Sequence, residues 1–552
     1  MTAPQPRYLE KPPDWTPQER PKLPGSPANL DHSRPVMVLY FVVGLFVTMV
    51  GGLGNGIITA NLPQFQGEYG LTPSQVAWFP AAYVIGSLSA GILTFKVRQQ
   101  KGIRWFTEWS LLGFLLAVGL HLVTHTFAMA VVVRAASGFV GGSMSTLGLF
   151  YIMQGVSAKN KLRALYFAMA AGQLGVPLAW VLSPHLIAAD DWQRLYTFEF
   201  GLALCAYALV VMLKLPRGIR IAVFSKGDFV TFVLLTLGFG SLAAVLVQGP
   251  ILWWLNDVRL AYGLIVGLAA VLAALAFESF RAVPLVDLRW FSSLGLLRFL
   301  FGSFLLRMLM SEQSWAAVNF LRSMGMGSDQ FVGLYTVIFC GTLVGGMLSA
   351  LFFAPTPKRV FGKILLAGAM IALASFMDAD LTNQVRPQNF YVSQFLVSCA
   401  GGMFIGPLLM IGFLKAMLKS QNHIAMFIIL FTASQNFGGL MGSSFYSTFQ
   451  KHQVQVHRQA LLQAMPSDDP AVNLRLLQYQ GAYRSVLPDS QLDRQQAMMT
   501  LNQVVNREAT VMAYNDVIRF NSYLAVYGLL WGLMMMVIAL RYIKQHPLPA
   551  PS

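Results

Sequence analysis

Residues 36–58 read VMVLYFVVGLFVTMVGGLGNGII, a stretch of 23 residues without a single charge. About 20 apolar helical residues cross a bilayer core about 30 Å thick, so this segment is long enough to span. Outward from it, comparable stretches recur at 74–95, 105–124, 126–151, 164–187 and 193–214, then at 228–248 and 258–280. A last group follows at 295–320, 330–353, 362–380, 390–415, 424–446 and 519–542. The chain therefore reads as an all-α polytopic membrane protein with fourteen transmembrane helices, grouped six, two and six.

Composition agrees. Of the 552 residues 55% are hydrophobic and 11% charged, and the mean hydropathy is +0.56. Spans and short connections consume nearly all of this length, which leaves no room for a separate soluble enzyme domain. The formal charge of +16 does not point to nucleic acid, because that needs a basic face on a folded domain. Here the cations sit in short loops, as the positive-inside bias requires. Cys205, Cys340 and Cys399 fall inside apolar stretches without disulfide or zinc spacing and read as small core residues. No cofactor or metal is expected: His121 and His125 stand one helical turn apart, but no third ligand accompanies them, and they read as membrane-edge residues.

The expected organisation is a disordered cytoplasmic tail over 1–35, rich in proline (4, 6, 12, 13, 17, 21, 24, 27 and 35), and a six-helix bundle over 36–214. Two inserted helices with flanking loops occupy 215–294, a second six-helix bundle 295–542, and a short cytoplasmic tail 543–552. The tail has no secretory leader pattern, so the first span is expected to direct insertion. Loops with Lys96, Arg98, Lys101 and Arg104, with Lys159, Lys161 and Arg163, and with Lys214, Arg217, Arg220 and Lys226 are assigned to the cytoplasm. Arg281, Arg289, Lys358, Arg359, Lys415, Lys419, Arg541 and Lys544 continue the trend, and an even helix count places both termini on that side. The opposite loops hold Glu68, Asp190, Asp191, Asp257, Asp329, Asp378 and Asp380. One of them, 447–518, is long, polar and rich in glutamine. Ser467-Asp468-Asp469-Pro470 reads as a helix start, and Leu487-Pro488-Asp489-Ser490 as a break before a helix that continues into the last span. A helical outer cap is expected there.

Several motifs resemble those of the fourteen-helix drug:proton antiporter branch of the major facilitator superfamily, the EmrB/QacA type. Trp78-Phe79-Pro80-Ala81-Ala82-Tyr83, after Leu62-Pro63, is similar to its W-x-x-x-A-Y entry to span two. Arg134-Ala135-Ala136-Ser137-Gly138 with Gly141-Gly142 resembles its R-x-x-Q-G signature in span four, with Ser137 in place of Gln. Gly438-Gly439-Leu440-Met441-Gly442 resembles the glycine cluster of the penultimate span, and Arg507-Glu508-Ala509 through Asp516 the run entering the last helix. Three departures accompany the likeness. Late span one reads Leu53-Gly54-Asn55-Gly56 where the family usually has an Asp, and Gly91 to Arg98 lacks the acid of the loop motif after span two. The span-five motif survives only as Gly172, Gly175 and Pro177. The resemblance implies a major facilitator fold of two six-helix bundles plus two inserted helices, multidrug efflux by proton antiport and, as in Gram-negative members, an inner-membrane location. It also implies a periplasmic membrane-fusion adaptor and an outer-membrane channel as partners.

An ionisable group in the hydrocarbon core costs at least about 2.5–3.5 kcal/mol and is by default a functional candidate. Arg134 and Glu199 fall at similar depths in spans four and six, where a pair is allowed; the resemblance assigns the Arg134 position to proton coupling. Arg307 and Glu312 in span nine are separated by five residues, about 140° around the helix, so they do not face one partner. Span nine opens the second bundle as span one opens the first, and transporters of this build are related halves around a midplane site. Glu312 is therefore the candidate for the proton-carrying carboxylate absent near Asn55, in apolar surroundings suited to loading and releasing a proton. Asn55, Asn61, Tyr83, Gln173, Gln435 and Asn436 are candidates to line a substrate path, although neutral polar groups also simply join helices. Gly138, Gly142, Gly175, Pro177, Gly439 and Gly442 are candidates for gating and helix packing.

The expected function is a secondary active exporter of small organic or lipophilic compounds, driven by protons; no G-x-x-x-x-G-K-[ST] phosphate loop is present. A specific transporter of a siderophore, an aromatic acid or another metabolite is the alternative, and a non-transporting scaffold a more distant one. No nucleophile and base stand in a recognisable enzymatic arrangement.

Overall fold

The computed structural model describes all residues except 1–7, 12, 22, 125, 187–191, 283, 354–355, 420, 467, 484–489 and 546–552. His125, Asp190, Asp191, Ser467, Leu487, Pro488, Asp489 and the prolines at 4, 6 and 12 thus lie outside the described residues. Among the described residues thirteen helices are long and apolar enough to cross a membrane, and a bent pair, counted as one span, makes a fourteenth. Span one is Arg34–Ala60, span two Trp78–Lys101, span three Ile103–His121, span four Phe127–Gln154 and span six Trp192–Met212. Spans seven and eight are Lys226–Leu252 and Val258–Ser279. Spans nine to fourteen are Leu294–Ser323, Val332–Leu351, Pro357–Met377, Tyr391–Lys419, Gln421–Gln463 and Ser490–Gln545.

Span five is broken. Lys161–Ala171 and Gly175–Leu186 meet at a 41° bend. Pro177 lacks the N–H that would bond the carbonyl four residues back, inside the break. Gly175 lies so close to span one that an added Cβ would sit 2.5 Å from the Met49 carbonyl oxygen. Span nine is irregular too, with a π turn over Glu312–Ala317, a local form that recurs at functional sites.

Spans one, two and four pack together, as do spans ten, eleven and twelve, while span thirteen packs on nine and fourteen. Span five meets spans ten and twelve on one side of the seam between the two groups, and span two meets span thirteen on the other. Spans seven and eight pair with each other, and seven leans on spans two and thirteen. A buried ion network fixes this inserted pair. Lys96 Nζ lies 2.8 Å and Arg281 Nη2 2.7 Å from Asp228 Oδ1, and Arg281 also pairs with Glu278. Glu278 accepts further bonds from the Thr231 hydroxyl and the Leu285 and Val286 amides. Lys96 is thus an internal counterion within span two, where the sequence had it as a loop charge.

The two ends of the molecule differ. At one, spans thirteen and fourteen run on for 43 and 56 residues in all, far beyond the 20 or so a bilayer needs. His457 Nε2 lies 2.6 Å from Asp516 Oδ2 across this projection, and the short helix Pro470–Tyr483 lies against it, with Tyr483 Oη 3.0 Å from Thr500 Oγ1. Asp469 caps that helix by accepting the Ala471 amide at 2.7 Å.

At the other end the described part of the N-terminal arm is docked, which corrects the expectation of a disordered tail. Tyr8 bridges Ile221 and Pro27 bridges Gly218. The Gly25 amide donates to the Ile219 carbonyl at 3.0 Å, Gln154 Nε2 to the Ala28 carbonyl at 2.8 Å, and Lys161 Nζ to Asn29 Oδ1 at 2.6 Å. Proline fixes an extended backbone, and 217–221 offers that backbone an edge. Beneath the arm Arg98 is buried against the Phe95 and Phe150 rings and is no loop residue either. The cysteines also divide: Cys399 is buried, whereas Cys205 and Cys340 are exposed on the bundle surface and are not core residues.

Candidate functional site: two buried polar clusters

The first cluster forms where spans four and six converge on late span one. Thr126 caps span four by accepting the Met129 amide, which sets Arg134 two turns into the helix. Arg134 is buried; its Nη2 donates to Asn55 Oδ1 at 2.9 Å and its Nη1 to the Gly54 carbonyl at 3.4 Å. The guanidinium stands over the Tyr83 ring, 4.9 Å from its centroid. Glu199 is buried on the other side of the same turn, and a Cβ on Gly54 would lie 2.0 Å from its Oε1. Arg134 and Glu199 thus both lie against Gly54, with no ion pair within 4 Å between them. Tyr83 and Asn55 both engage the Arg134 side chain.

The second cluster lies at the same end of the second group. Glu312, on the π turn of span nine, is fully buried, and Gln394 Nε2 donates to its Oε1 at 3.2 Å. The same nitrogen donates to Asp378 Oδ2, also at 3.2 Å. Gln313 Nε2 donates to the Gln394 carbonyl at 2.9 Å and so fixes span nine to span twelve. Among the described residues Glu312 Oε2 and Gln394 Oε1 are buried without a hydrogen-bond partner, and such groups are few in native proteins. One turn away Tyr446 donates to Asn521, whose Nδ2 donates to Ser375 Oγ at 2.8 Å.

Sequence reasoning had Asp378 as a loop acid; it is the residue that ends span eleven, and it is buried. Gln394 carried one available signal, a polar side chain early in an apolar stretch. Arg307 stays apart from Glu312 and packs beside Gly438 and Gly439 of span thirteen.

Several path candidates are joiners of helices. Asn61 Nδ2 bonds Ser183 Oγ at 2.9 Å, linking spans one and five, and Gln435 Nε2 bonds Ser303 Oγ at 2.6 Å, linking thirteen and nine. Asn436 bonds its own helix at Thr432, and Gln173 reaches the Gly401 carbonyl across the seam at 3.5 Å. Among the packing candidates, a Cβ on Gly138 would meet the Tyr83 carbonyl at 2.0 Å and one on Gly442 the Ser311 hydroxyl at 2.4 Å. Gly142 and Gly439 have ordinary clearance, with nothing inside 3.5 Å. His121, the last residue of span three, is buried and stacks on Tyr196 with centroids 5.2 Å apart.

Beyond both clusters, at the projection end, the seam is shut. The Trp180 and Tyr335 rings stack 4.2 Å apart, Arg322 lies over Trp180 and donates to the Ala60 carbonyl at 2.8 Å, and Gln64 bonds Ser328 at 2.8 Å. Sequence reasoning missed this lid, whose aromatics look like any other apolar residues in a span.

Two helix groups, each with a buried polar cluster, and a seam closed at one end make up a polytopic membrane protein. Residues 44–443 match the model of the Major Facilitator Superfamily, and the chain belongs to that family. It is 26% identical over 267 residues to "Efflux pump FUS6" of Gibberella fujikuroi, covering 46% of this chain and 47% of that one. It is 25% identical over 265 residues to "MFS-type efflux pump LUC4" of Fusarium sp, covering 46% of each. The chain thus spans about half the length of the curated relatives it matches. Those relatives are fungal and lend nothing to a bacterial inner membrane, an adaptor or an outer-membrane channel. Among solved structures the human organic anion transporter MFSD10 shares the fold, with a TM-score of 0.52 and 12% identity over 90% of this chain and 100% of that one. The proton:xylose symporter XylE gives a TM-score of 0.51 and 14% identity over 77% of this chain and 91% of that one.

Proposed function

We propose that the chain is a proton-coupled exporter of small organic, lipophilic compounds, of the fourteen-span antiporter type. The observation that carries this reading is the Gln394 amide nitrogen shared by Glu312 and Asp378, each at 3.2 Å. Two carboxylates on one neutral donor, with no cation paired to them among the described residues, repel each other when both are ionised. A proton on one of them relieves that repulsion. Loading and release at this pair, which with Gln394 draws on three different spans, then biases how spans nine, eleven and twelve pack, and with them the shut seam at Trp180 and Tyr335. In this reading the basic loops and both termini face the cytoplasm, and proton entry supplies the work, about 2.3 kcal/mol per charge for each 100 mV. The relatives named efflux pumps support the outward direction.

The name of a further relative, "Acurin A biosynthesis cluster MFS-type transporter" of Aspergillus aculeatus, 22% identical over 261 residues, favours a second reading, export of one specific natural product. A panel separates the two. Proton release from everted vesicles is followed on adding lipophilic cations, aromatic acids and siderophores one at a time. Release evoked by many compounds and lost in Glu312→Gln supports the exporter of broad range. Response to a single class supports the specific one, and release unchanged in Glu312→Gln rules out this acid as the coupling group.

A further inference from the structure

A cavity of about 830 Å³ opens within the second helix group. Its walls come from spans nine, eleven, twelve and fourteen, and neither Glu312 nor Asp378 nor any residue of the first group lines it. Three of the four walls are thinned by Gly302, Gly368, Gly528 and Gly532, and the remaining lining is almost wholly aliphatic or aromatic.

The exceptions are Arg298 and Lys415, both at the end opposite the projection and both exposed. Arg298 has no hydrogen bond or ion pair to a described residue, and Lys415 Nζ makes only a long contact of 3.5 Å to the Gly295 carbonyl. From Arg298 the groove follows span nine down to Leu309, a rise of about 16 Å. That is close to half of a hydrocarbon core about 30 Å thick. The groove is thus cationic where one leaflet meets water and apolar to the depth of that leaflet.

We infer that this groove is a binding site for an anionic glycerophospholipid, its phosphate between Arg298 and Lys415 and an acyl chain along the apolar floor. Cations at the membrane surface attract anionic headgroups, and basic pockets between spans are a recurrent place for them. The occupant is one lipid of the surrounding leaflet, held against spans nine and fourteen. The inference does not depend on the exporter reading.

The test uses the purified, delipidated full chain and its thermal unfolding with added phosphatidylglycerol or phosphatidylcholine of the same acyl composition. Phosphatidylglycerol is expected to stabilise at concentrations at least about tenfold below those phosphatidylcholine needs, in keeping with two surface cations. Arg298→Gln with Lys415→Gln should bring the two lipids level, and Gly368→Phe, which fills the floor, should weaken both. Equal potency of the two lipids on the native chain overturns the proposal. So does a preference that survives the double charge substitution, or equal stabilisation by glycerol 1-phosphate, which has the headgroup without the chain. The lipid comparison on the native chain decides the matter even if a variant fails to fold.

Discussion

The two helix groups solve the same problem in opposite ways. Each buries ionisable groups at the same end of the bundle, where a lone charge is costly. The first group sets a cation against an anion: Arg134 reaches Asn55 and Gly54, and Glu199 packs on the far side of that glycine. The second sets an anion beside an anion, Glu312 and Asp378, with only the neutral Gln394 between them. In the first a cation stands near the anion; in the second, among the described residues, no cation pairs with either carboxylate, which is what the proposed proton coupling rests on. A site that is already neutral has a structural use whatever its other roles, whereas one that needs an exchangeable proton can couple to a gradient.

The largest effect expected from this contrast is on transport. Glu312→Gln should keep the fold and cut substrate-evoked proton release by about 100-fold, the low end for removing a proton-transfer group, as read by a pH dye in vesicles. Arg134→Met should act on stability instead. It leaves Glu199 buried without its balancing charge, a loss of about 3 kcal/mol, and adding Glu199→Gln should recover much of it because the two act as a coupled pair. Thermal unfolding of the single and double variants checks this, and additive effects would break the comparison. Gln394→Leu should cost about 1–3 kcal/mol through unsatisfied buried oxygens and displace the pH profile of transport without abolishing it.

The smallest effect is a surface control. Asp287 lies in the loop before span nine, with His423 Nε2 3.0 Å from its Oδ2. Partial burial pushes this carboxyl up, but the His423 hydrogen bond and the Arg289 and Trp290 amides outweigh it and hold the group below its ordinary value. A depressed carboxyl contributes stability above its unfolded value and loses it as pH falls through the folded one. Asp287→Asn should therefore remove about 0.2–1 kcal/mol at neutral pH, flatten the acid side of the melting curve against pH and leave proton release untouched.

The spans were legible in the sequence because hydropathy reports directly on the solvent a helix meets, whereas the break in span five, which reads as one stretch 164–187, was not. The second cluster was half legible. Glu312 stands out as a charge in an apolar run, but Asp378 closes a span and reads like any loop acid, and Gln394 carries no charge to flag it. Pairings between distant segments were not legible at all. Nothing local to Lys96 announces Asp228, and nothing in the proline-rich arm announces 217–221, because composition records what a segment is made of and not what it will meet.

The Lys96, Asp228, Arg281 and Glu278 network has a consequence for the inserted helices. They are easily taken for an optional appendage on a twelve-span machine, removable without harm to the rest. Excising 215–294 would remove Asp228 and leave Lys96, half-buried in span two, without its counterion. Spans seven and eight are in that sense grafted tissue that shares a blood supply with its host, and any twelve-span derivative of this chain must replace Lys96 in the same step.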